Sequence, residues 1–398
     1  GPDGIAATKA NYGWEYGPFE VPEEVQHRFD KLLVQTGEND YNEWKTLFED
    51  YKQAYPELAK EFEDSFAENI EVDLEKVLPS YEFGSSAMAS RVTSQAAIQE
   101  LGKHIPFFWG GSADLSSSNN TMNKADSDFS YENYGGRNIW FGVREFAMGA
   151  AMNGMLLHGG NRVYGGTFFV FADYLKAAMR VAAISHLPAI YVYTHDSIAV
   201  GEDGPTHEPI EQLAAFRATP NLNVIRPADG NEVSAAWKVA VETKDRPSVL
   251  VFSRQNLPVL EHSQELAYEG VKRGAYVVSP QKCDTPEGIL IATGSEVALA
   301  IEAQKVLAEE GIDVSVVSMP SMNLFEEQPK EYRESVLPSD VRKRVAVEMG
   351  ASFGWGQYVG LDGATVTIDR FGLSGNGNKV METLGFTVEN VVNTFKSL

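Results

Sequence analysis

The stretch Ala189-Ile190-Tyr191-Val192-Tyr193-Thr194 is a nearly continuous apolar run, and the polar residues His195-Asp196-Ser197 follow it directly. An apolar run of this length is typical of a strand that is buried on both faces of a parallel sheet. Comparable runs occur at residues 105–109, 138–141, 223–225 and 248–252, and helical patterns at residues 94–102, 145–157 and 232–242 lie between them. This alternation predicts a doubly wound α/β domain.

A second alternation of the same kind follows nearer the carboxyl terminus. Strands are predicted at residues 289–292, 314–317, 344–348 and 365–368, with a helix at residues 296–310 that stops at Gly311. Before both domains, aromatic and leucine residues recur at helical spacing from Trp44 to Phe66, with an interruption near Pro56. We therefore expect two doubly wound, mainly parallel-sheet domains, at residues 81–264 and 265–398, preceded by an acidic helical linker at residues 1–80.

The composition limits the classes of partner. A net charge of −23 and a pI near 4.7 disfavour nucleic acids and anionic membrane surfaces as ligands. No stretch approaches the roughly 20 apolar residues that cross a bilayer. Cys283 is the only cysteine, so no internal disulfide can form, and we predict a cytoplasmic location. A small phosphorylated substrate is still compatible with this charge, because a local cluster of Arg and His outweighs the global field.

Two polar clusters follow the first two predicted strands of the middle domain. Residues 110–120, Gly-Gly-Ser-Ala-Asp-Leu-Ser-Ser-Ser-Asn-Asn, contain Asp114 and Ser118 and suit either a ligand-binding loop or a surface turn. Glu145 stands where a strand meets an apolar helix. Its position fits a functional carboxylate at the edge of the sheet, and equally a first-turn Glu favoured by the helix dipole.

Three further groups of side chains surround the remaining strands. Phe168, Phe171 and Tyr174 would form one aromatic face on a helix, able to stack on a heteroaromatic ring or to join the core. Residues 195–207 bring two histidines, His195 and His207, together with three acids, Asp203 among them, which suits proton transfer and the binding of sugar hydroxyls. We predict no metal site there, since compact ligand spacing is lacking. Arg254, after residues 248–252, and Arg91, at a helix entrance, can each fork onto a phosphate.

These motifs, in this order, resemble those of the transketolases, which are thiamine-diphosphate enzymes of the pentose phosphate pathway. The resemblance rests on Gly111-Ser112-Ala113-Asp114-Leu115, Gly142-Val143-Arg144-Glu145-Phe146, residues 195–207 and Ser253-Arg254-Gln255-Asn256. Ile291-Ala292-Thr293-Gly294-Ser295-Glu296 and Glu334-Ser335-Val336-Leu337-Pro338-Ser339 are similar to the family's carboxyl-terminal domain. The likeness extends over essentially the whole chain, including the acidic helical segment.

For the cofactor, the resemblance implies that the chain binds the pyrimidine half of thiamine diphosphate. It gives Glu145 a catalytic role through a hydrogen bond to the aminopyrimidine ring. It implies that Phe171 stacks on this ring, with Phe168 and Tyr174 beside it, and that Asp114 belongs to a loop lining the cofactor site.

For the substrate, the resemblance implies the transfer of a two-carbon ketol unit from a ketose phosphate to an aldose phosphate. The residues that match sugar-phosphate contacts are Arg91, Ser118, His195 and Arg254. Asp203 matches a residue at the donor's hydroxyl groups. His207 matches one near the reacting carbons and the cofactor, and thus a second catalytic residue.

One departure from the family pattern concerns its amino-terminal domain, which binds the diphosphate through Mg²⁺ or Ca²⁺. Neither Gly201-Glu202-Asp203-Gly204 nor Ala228-Asp229-Gly230-Asn231 fits that domain's Gly-Asp-Gly…Asn signature. We therefore expect a transketolase chain that lacks this domain and its metal ligands, inactive on its own and self-associating as the family's homodimers do. The alternatives are the small subunit of a split transketolase and a non-catalytic dimerisation module.

Overall fold

The computed structural model of the chain describes residues 1–398, which divide into two units, residues 1–64 and residues 65–398. The first unit is helical, with a single π-helical segment at Asp30–Gln35. Its helices are α1 (Pro2–Asn11), α2 (Glu23–Phe29), α3 (Thr36–Ala54) and α4 (Pro56–Ala67), the last of which runs past the boundary.

The aromatic stripe of the first unit lies on α3 and α4. The predicted interruption is confirmed, because α3 ends at Ala54 and Pro56 opens α4, where its missing N–H costs no helical hydrogen bond. The Phe48 ring lies 5.3 Å from the Trp44 ring and 5.3 Å from the Phe62 ring, measured between centroids. The helical spacing of the aromatics therefore places them on facing sides of these two helices.

The second unit holds all thirteen strands and the remaining helices. The strands are β1 (Met88–Ala89), β2 (Phe108–Ser112), β3 (Asn138–Trp140), β4 (Arg162–Phe168), β5 (Ile190–Thr194), β6 (Asn223–Ile225), β7 (Ser248–Phe252), β8 (Asn256–Leu257), β9 (Tyr276–Ser279), β10 (Gly288–Ala292), β11 (Val314–Ser318), β12 (Arg344–Val347) and β13 (Ala364–Val366). The helices are α5 (Leu74–Val77), α6 (Ser90–His104), α7 (Ser116–Asn119), α8 (Glu145–His158), α9 (Ala172–Ile184), α10 (Gln212–Arg217), α11 (Gly230–Glu242), α12 (Ser263–Lys272), α13 (Glu296–Glu309), α14 (Met322–Glu326), α15 (Lys330–Val336), α16 (Gly356–Val359), α17 (Gly377–Thr383) and α18 (Val388–Lys396).

A six-stranded sheet in the order β3-β2-β4-β5-β7-β6 forms the centre of the middle domain, and every pair in it is parallel. Successive residues of β5 serve opposite faces: Ile190 packs in one core with Trp237 of α11, and Tyr191 packs in the other with Met179 of α9. Both faces of the strand are therefore buried, which explains its continuous apolar sequence.

The carboxyl-terminal sheet has the order β13-β12-β10-β11-β9, in which β9 is antiparallel to β11 and the other pairs are parallel. Together with the six-stranded sheet it confirms the predicted fold class, two doubly wound and mainly parallel-sheet domains. The antiparallel edge strand β9 was not among the predicted strands.

Strand β4 is the central element that the sequence pattern does not reveal. It contains Gly165 and Gly166, and two consecutive glycines in a sequence are more typical of a turn or loop than of a strand. A Cβ atom at Gly165 would lie 2.4 Å from Sδ of Met152, and one at Gly166 would lie 2.7 Å from Cγ2 of Thr121. The glycines thus allow α8 and the loop after β2 to approach the sheet closely.

Candidate active site at the carboxyl edge of the parallel sheet

Helices α8 and α9 both begin at the carboxyl edge of the six-stranded sheet, because each follows one of its strands. They pack tightly, since a Cβ atom at Gly149 would lie only 2.9 Å from Cβ of Ala178 and 3.1 Å from Cγ of Leu175. Glu145 precedes Gly149 by one helical turn, and Phe171 precedes Leu175 by the same distance. The close packing therefore brings the half-buried Glu145 and Phe171 to neighbouring helix starts at this edge.

Phe168 lies at the centre of a group of rings, which we call the aromatic–imidazole cluster: Phe168, Phe171, Tyr174, His195 and His207. The Phe168 centroid is 4.5 Å from that of His195, 5.9 Å from that of Phe171 and 6.0 Å from that of His207. Phe171 contacts His207 edge-on at 5.3 Å and Tyr174 at 6.2 Å. The three aromatic residues do not share one helix, since Phe168 ends β4 and Tyr174 lies in α9, yet they still form one group.

His195 is only 5% exposed, and its Nδ1 is buried without a hydrogen-bond partner. Burial, the positive charges of Arg91 and Arg254, and the nearby His207 lower its pKa from 6.5 to about 3. The imidazole is therefore neutral at physiological pH, and one of its ring nitrogens remains available to a ligand.

Arg91 is held at this edge by contacts between α6 and the end of β7. The backbone N–H of Ser253 donates to Oγ of Ser90 at 2.6 Å, and Nη1 of Arg91 donates to the carbonyl oxygen of Ser118 at 2.5 Å. Burial and the charge of Arg254 lower the pKa of Arg91, and its Nε is buried without a partner. The charge of Arg254 therefore acts on Arg91 and no carboxylate offsets it, an arrangement that a bound anion stabilises.

The two candidate aspartates flank this region on loops. Asp114 follows β2 with a φ of 62°, and Asp203 lies four residues before His207; both carboxylates are exposed. The structure brings neither carboxylate into a hydrogen bond with the other candidate residues. Their assignment to a cofactor or a sugar hydroxyl therefore stays a prediction.

The sequence motifs do not reveal a buried ionic network that adjoins His195 through the next residue, Asp196. Arg226, which follows β6, pairs with Asp196 and with Glu296 at the start of α13, and it donates to the side chain and the carbonyl oxygen of Thr293. Glu348, after β12, accepts from Thr293 at 2.7 Å, from Arg217 at 2.6 and 2.7 Å and from Trp355 at 2.9 Å. The only sequence signal for Arg226 is its position at the end of the predicted strand at residues 223–225, which is similar to the position of Arg254 after residues 248–252.

No group of three or more His, Cys, Asp or Glu side chains is placed to hold a metal ion. None of the helices combines the length and the hydropathy that a membrane-spanning helix needs.

Three family models match the chain in consecutive order. The transketolase thiamine diphosphate binding domain matches residues 1–70, the transketolase pyrimidine binding domain matches residues 86–259, and the transketolase-like carboxyl-terminal domain matches residues 274–387. A transketolase of Streptococcus pyogenes is 60% identical over 100% of this chain and 54% of its own length. The chain belongs to the transketolase family.

Solved transketolase structures agree with this assignment. The transketolase of Leishmania mexicana has a TM-score of 0.93 and 41% identity, and the match covers 100% of this chain and 58% of that one. A Pichia stipitis transketolase in complex with sedoheptulose-7-phosphate has a TM-score of 0.91 and 41% identity, over 97% of this chain and 57% of that one.

The match at residues 1–70 corrects an expectation from the sequence. The prediction that the chain lacks the family's amino-terminal domain is wrong, because the model of that domain matches the segment interpreted as a linker. The prediction relied on a missing Gly-Asp-Gly…Asn motif, which concerns one short segment and does not test the rest of a domain. The inference that the protein is an inactive fragment loses its basis with it. As a matter of length, the chain spans 54–60% of several transketolases that it matches.

The side chains present fit the pyrimidine half of thiamine diphosphate. Phe171 and Tyr174 offer accessible ring faces for stacking, and Glu145 offers a carboxylate to a ring nitrogen. The unpartnered Nε of Arg91 and Nδ1 of His195 fit a phosphate oxygen or a sugar hydroxyl nearby. The chain does not offer a comparable set of ligands to a divalent cation.

Proposed function

We propose that the protein acts as a transketolase and transfers a two-carbon ketol unit from a ketose phosphate to an aldose phosphate. The observation that carries this proposal is the position of Phe168, which contacts both His195, the imidazole next to Arg91 and Arg254, and Phe171, the ring at the start of α9. A phosphorylated sugar held by Arg91, His195 and Arg254 would thus lie next to a heteroaromatic cofactor held by Phe171 and Tyr174.

The cofactor is assigned to the residues at the starts of α8 and α9. Glu145 would share a proton with the ring nitrogen of the aminopyrimidine, and Phe171 would stack on the ring, with Phe168 and Tyr174 beside it and Asp114 in the lining loop. Thiamine diphosphate, when bound, supplies the stabilised carbanion that carbon–carbon bond transfer requires. We assign no residue of this chain to Mg²⁺ or Ca²⁺.

The substrate is assigned to the cationic side of the same edge. Arg91, His195 and Arg254 would bind the phosphate by charge-assisted or neutral hydrogen bonds, with Ser118 beside them. Because His195 is neutral, it can donate from one nitrogen and accept at the other. Asp203 would accept from donor hydroxyl groups, and His207 would donate a proton to the oxygen on the reacting carbon.

The remaining predictions belong to the same proposal. The pyrimidine-binding domain would extend over residues 81–264 and the carboxyl-terminal domain over residues 265–398. The protein would form a homodimer in the cytoplasm, with sugar phosphates as its ligands and neither nucleic acid nor membrane as a partner.

The test combines binding and turnover on one purified sample. Thiamine diphosphate is titrated by calorimetry with and without Mg²⁺, and ketol transfer is followed by a coupled assay with a ketose phosphate donor and an aldose phosphate acceptor. We expect binding of thiamine diphosphate together with ketol transfer, and the titrations with and without Mg²⁺ measure how far the binding depends on the cation. A folded sample that binds neither thiamine diphosphate nor a sugar phosphate would contradict the proposal.

A further inference from the structure

Glu208 is a buried carboxyl group directly after His207, and the assignments above do not use it. The residue is only 2% exposed, and neither Oε1 nor Oε2 makes a hydrogen bond of normal distance and angle, although the backbone N–H groups of Leu373 and Gly201 face the carboxyl group. Burying a carboxyl group without well-formed hydrogen bonds costs about 1–3 kcal/mol, so its retention calls for an explanation.

The glycine-rich loop at residues 371–377 of the carboxyl-terminal domain lies against this carboxyl group. A Cβ atom at Gly372 would lie 1.7 Å from Oε2 of Glu208, so any other residue at this position would force the carboxyl group to move. The same loop meets the segment before His207 through its backbone: the N–H of Gly375 donates to the carbonyl oxygen of Gly201 at 3.3 Å, and Oγ of Ser374 donates to that of Glu202 at 2.9 Å.

Glycines also appear on the facing side of this contact. A Cβ atom at Gly201 would lie 2.6 Å from the backbone nitrogen of Gly377, and one at Gly204 would lie 3.0 Å from Cβ of Ser374. The two loops therefore approach at backbone distance, and Asp203 lies within the part of the chain that this contact holds.

The raised pKa of Glu208 is consistent with a carboxyl group that contacts both loops. Burial raises its pKa from 4.5 to about 7, against the opposing effect of the backbone N–H groups of Leu373 and Gly201 that face it. A protonated carboxyl group can accept from such N–H groups and keeps no uncompensated charge in the interface.

We propose that Glu208 is a positioning residue that joins the glycine-rich loop of the carboxyl-terminal domain to the segment carrying Asp203 and His207. Through this contact the carboxyl-terminal domain would help to position Asp203 and His207, although the domain itself supplies none of the candidate residues. The consequence for catalysis rests on the proposed function, whereas the joining of the two loops does not.

The structural part is tested by hydrogen exchange, which needs no activity. In Glu208→Ala we expect the backbone amides of residues 372–377 and 201–204 to exchange about tenfold faster or more, because the loops lose their common contact. Glu208→Gln keeps the shape and a hydrogen-bonding group, so it should retain protection close to the wild type. Glu211→Ala, an exposed glutamate three residues away, is the matched control. Unchanged exchange in Glu208→Ala would overturn the proposal.

A second variant covers the case in which Glu208→Ala perturbs the fold more widely. Gly372→Ala should speed exchange in the same residues, because its methyl group collides with Oε2 of Glu208. In the Glu208→Ala background the same change should add little, since the space is then free. Additive effects of the two changes would show that they do not act through one contact.

The catalytic part is read from kcat and KM. Glu208→Ala should lower kcat for ketol transfer and leave the KM for the phosphorylated donor nearly unchanged, since Arg91, His195 and Arg254 stay in place, and Glu208→Gln should restore kcat. If the wild type has no transfer activity, the proposed function fails while the exchange result still stands. A loss in Glu208→Ala confined to KM would contradict a role in positioning His207.

Discussion

Arg226 donates two hydrogen bonds to one oxygen of Asp196: Nε and Nη2 lie 3.0 and 2.8 Å from Oδ2. Asp196 directly follows His195, and Arg226 also pairs with Glu296 of the carboxyl-terminal domain. The same buried guanidinium therefore ties the loop that carries His195 to the neighbouring domain. Removing one partner of a buried pair leaves an uncompensated charge, which makes this network a determinant of stability.

Arg226→Met should lower the free energy of unfolding by about 3–5 kcal/mol, since Asp196 and Glu296 would then stay buried without their cation. Urea denaturation measures the change. Arg342→Met is the control, because Arg342 pairs with Asp362 on the surface and should cost at most about 1 kcal/mol. Equal losses in both variants would mean that the buried network contributes no more than an exposed ion pair.

His195 should remain neutral in the folded protein as the pH falls from 7 to about 4, because its pKa is lowered to about 3. Imidazole nitrogen shifts in NMR measure this, with the signal assigned by its absence in His195→Asn. Arg91→Ala or Arg254→Ala should raise this pKa, since each removes a positive charge. A folded-state titration of His195 near its ordinary value of about 6.5 would contradict the burial that the structure gives.

Glu232 should make the protein less stable as the pH rises. It is fully buried next to Asp229, and burial is the main cause that raises its pKa from 4.5 to about 7. Stability is then greatest below the unfolded pKa of 4.5 and falls as the pH rises through 7, by about 3 kcal/mol for this group. In Glu232→Gln this share of the pH dependence should disappear from denaturation curves taken between pH 5 and 8. It should persist in Glu242→Gln, at the exposed end of the same helix.

Glu145→Gln should reduce kcat for ketol transfer by at least about 100-fold at saturating thiamine diphosphate. An amide still reaches a ring nitrogen but cannot share its proton. Steady-state assays measure the loss, and Glu132→Gln on an exposed loop serves as the control. Turnover like that of the wild type would remove Glu145 from the proposed mechanism.

Arg254→Ala should raise the KM for phosphorylated donors, with less effect on a phosphate-free donor such as hydroxypyruvate. A charge-assisted hydrogen bond contributes about 1.5–3 kcal/mol, which corresponds to roughly 10- to 150-fold in KM. Arg246→Ala is a matched control, because Arg246 precedes the same strand at the opposite edge of the sheet. A similar loss for both donors would indicate a general defect in the site instead.

Local sequence was sufficient where a strand or helix is specified by its own residues. Residues 223–225 and 248–252 were predicted with the observed bounds, and the helix at Glu145 begins where it was expected. The same pattern failed at Gly165 and Gly166 of β4. These positions need glycine because Met152 and Thr121, which belong to other elements of the fold, pack against the strand there. Helical periodicity at Trp44 and Phe48 likewise predicted α3 correctly but could not tell a linker from part of a domain.

The sequence by itself determined the two α/β domains and the motifs at their strand ends. A strand that is buried on both faces is visible as a continuous apolar run, and a helix boundary is visible in the residues at its end. Only the tertiary structure decided that Phe168 contacts His195, that Arg226 joins Asp196 to Glu296, and that Gly372 lies against Glu208. These contacts join residues far apart along the chain. Each depends on the free energy of burying a charge or a ring beside a particular partner, and that free energy exists only once the sheets have folded.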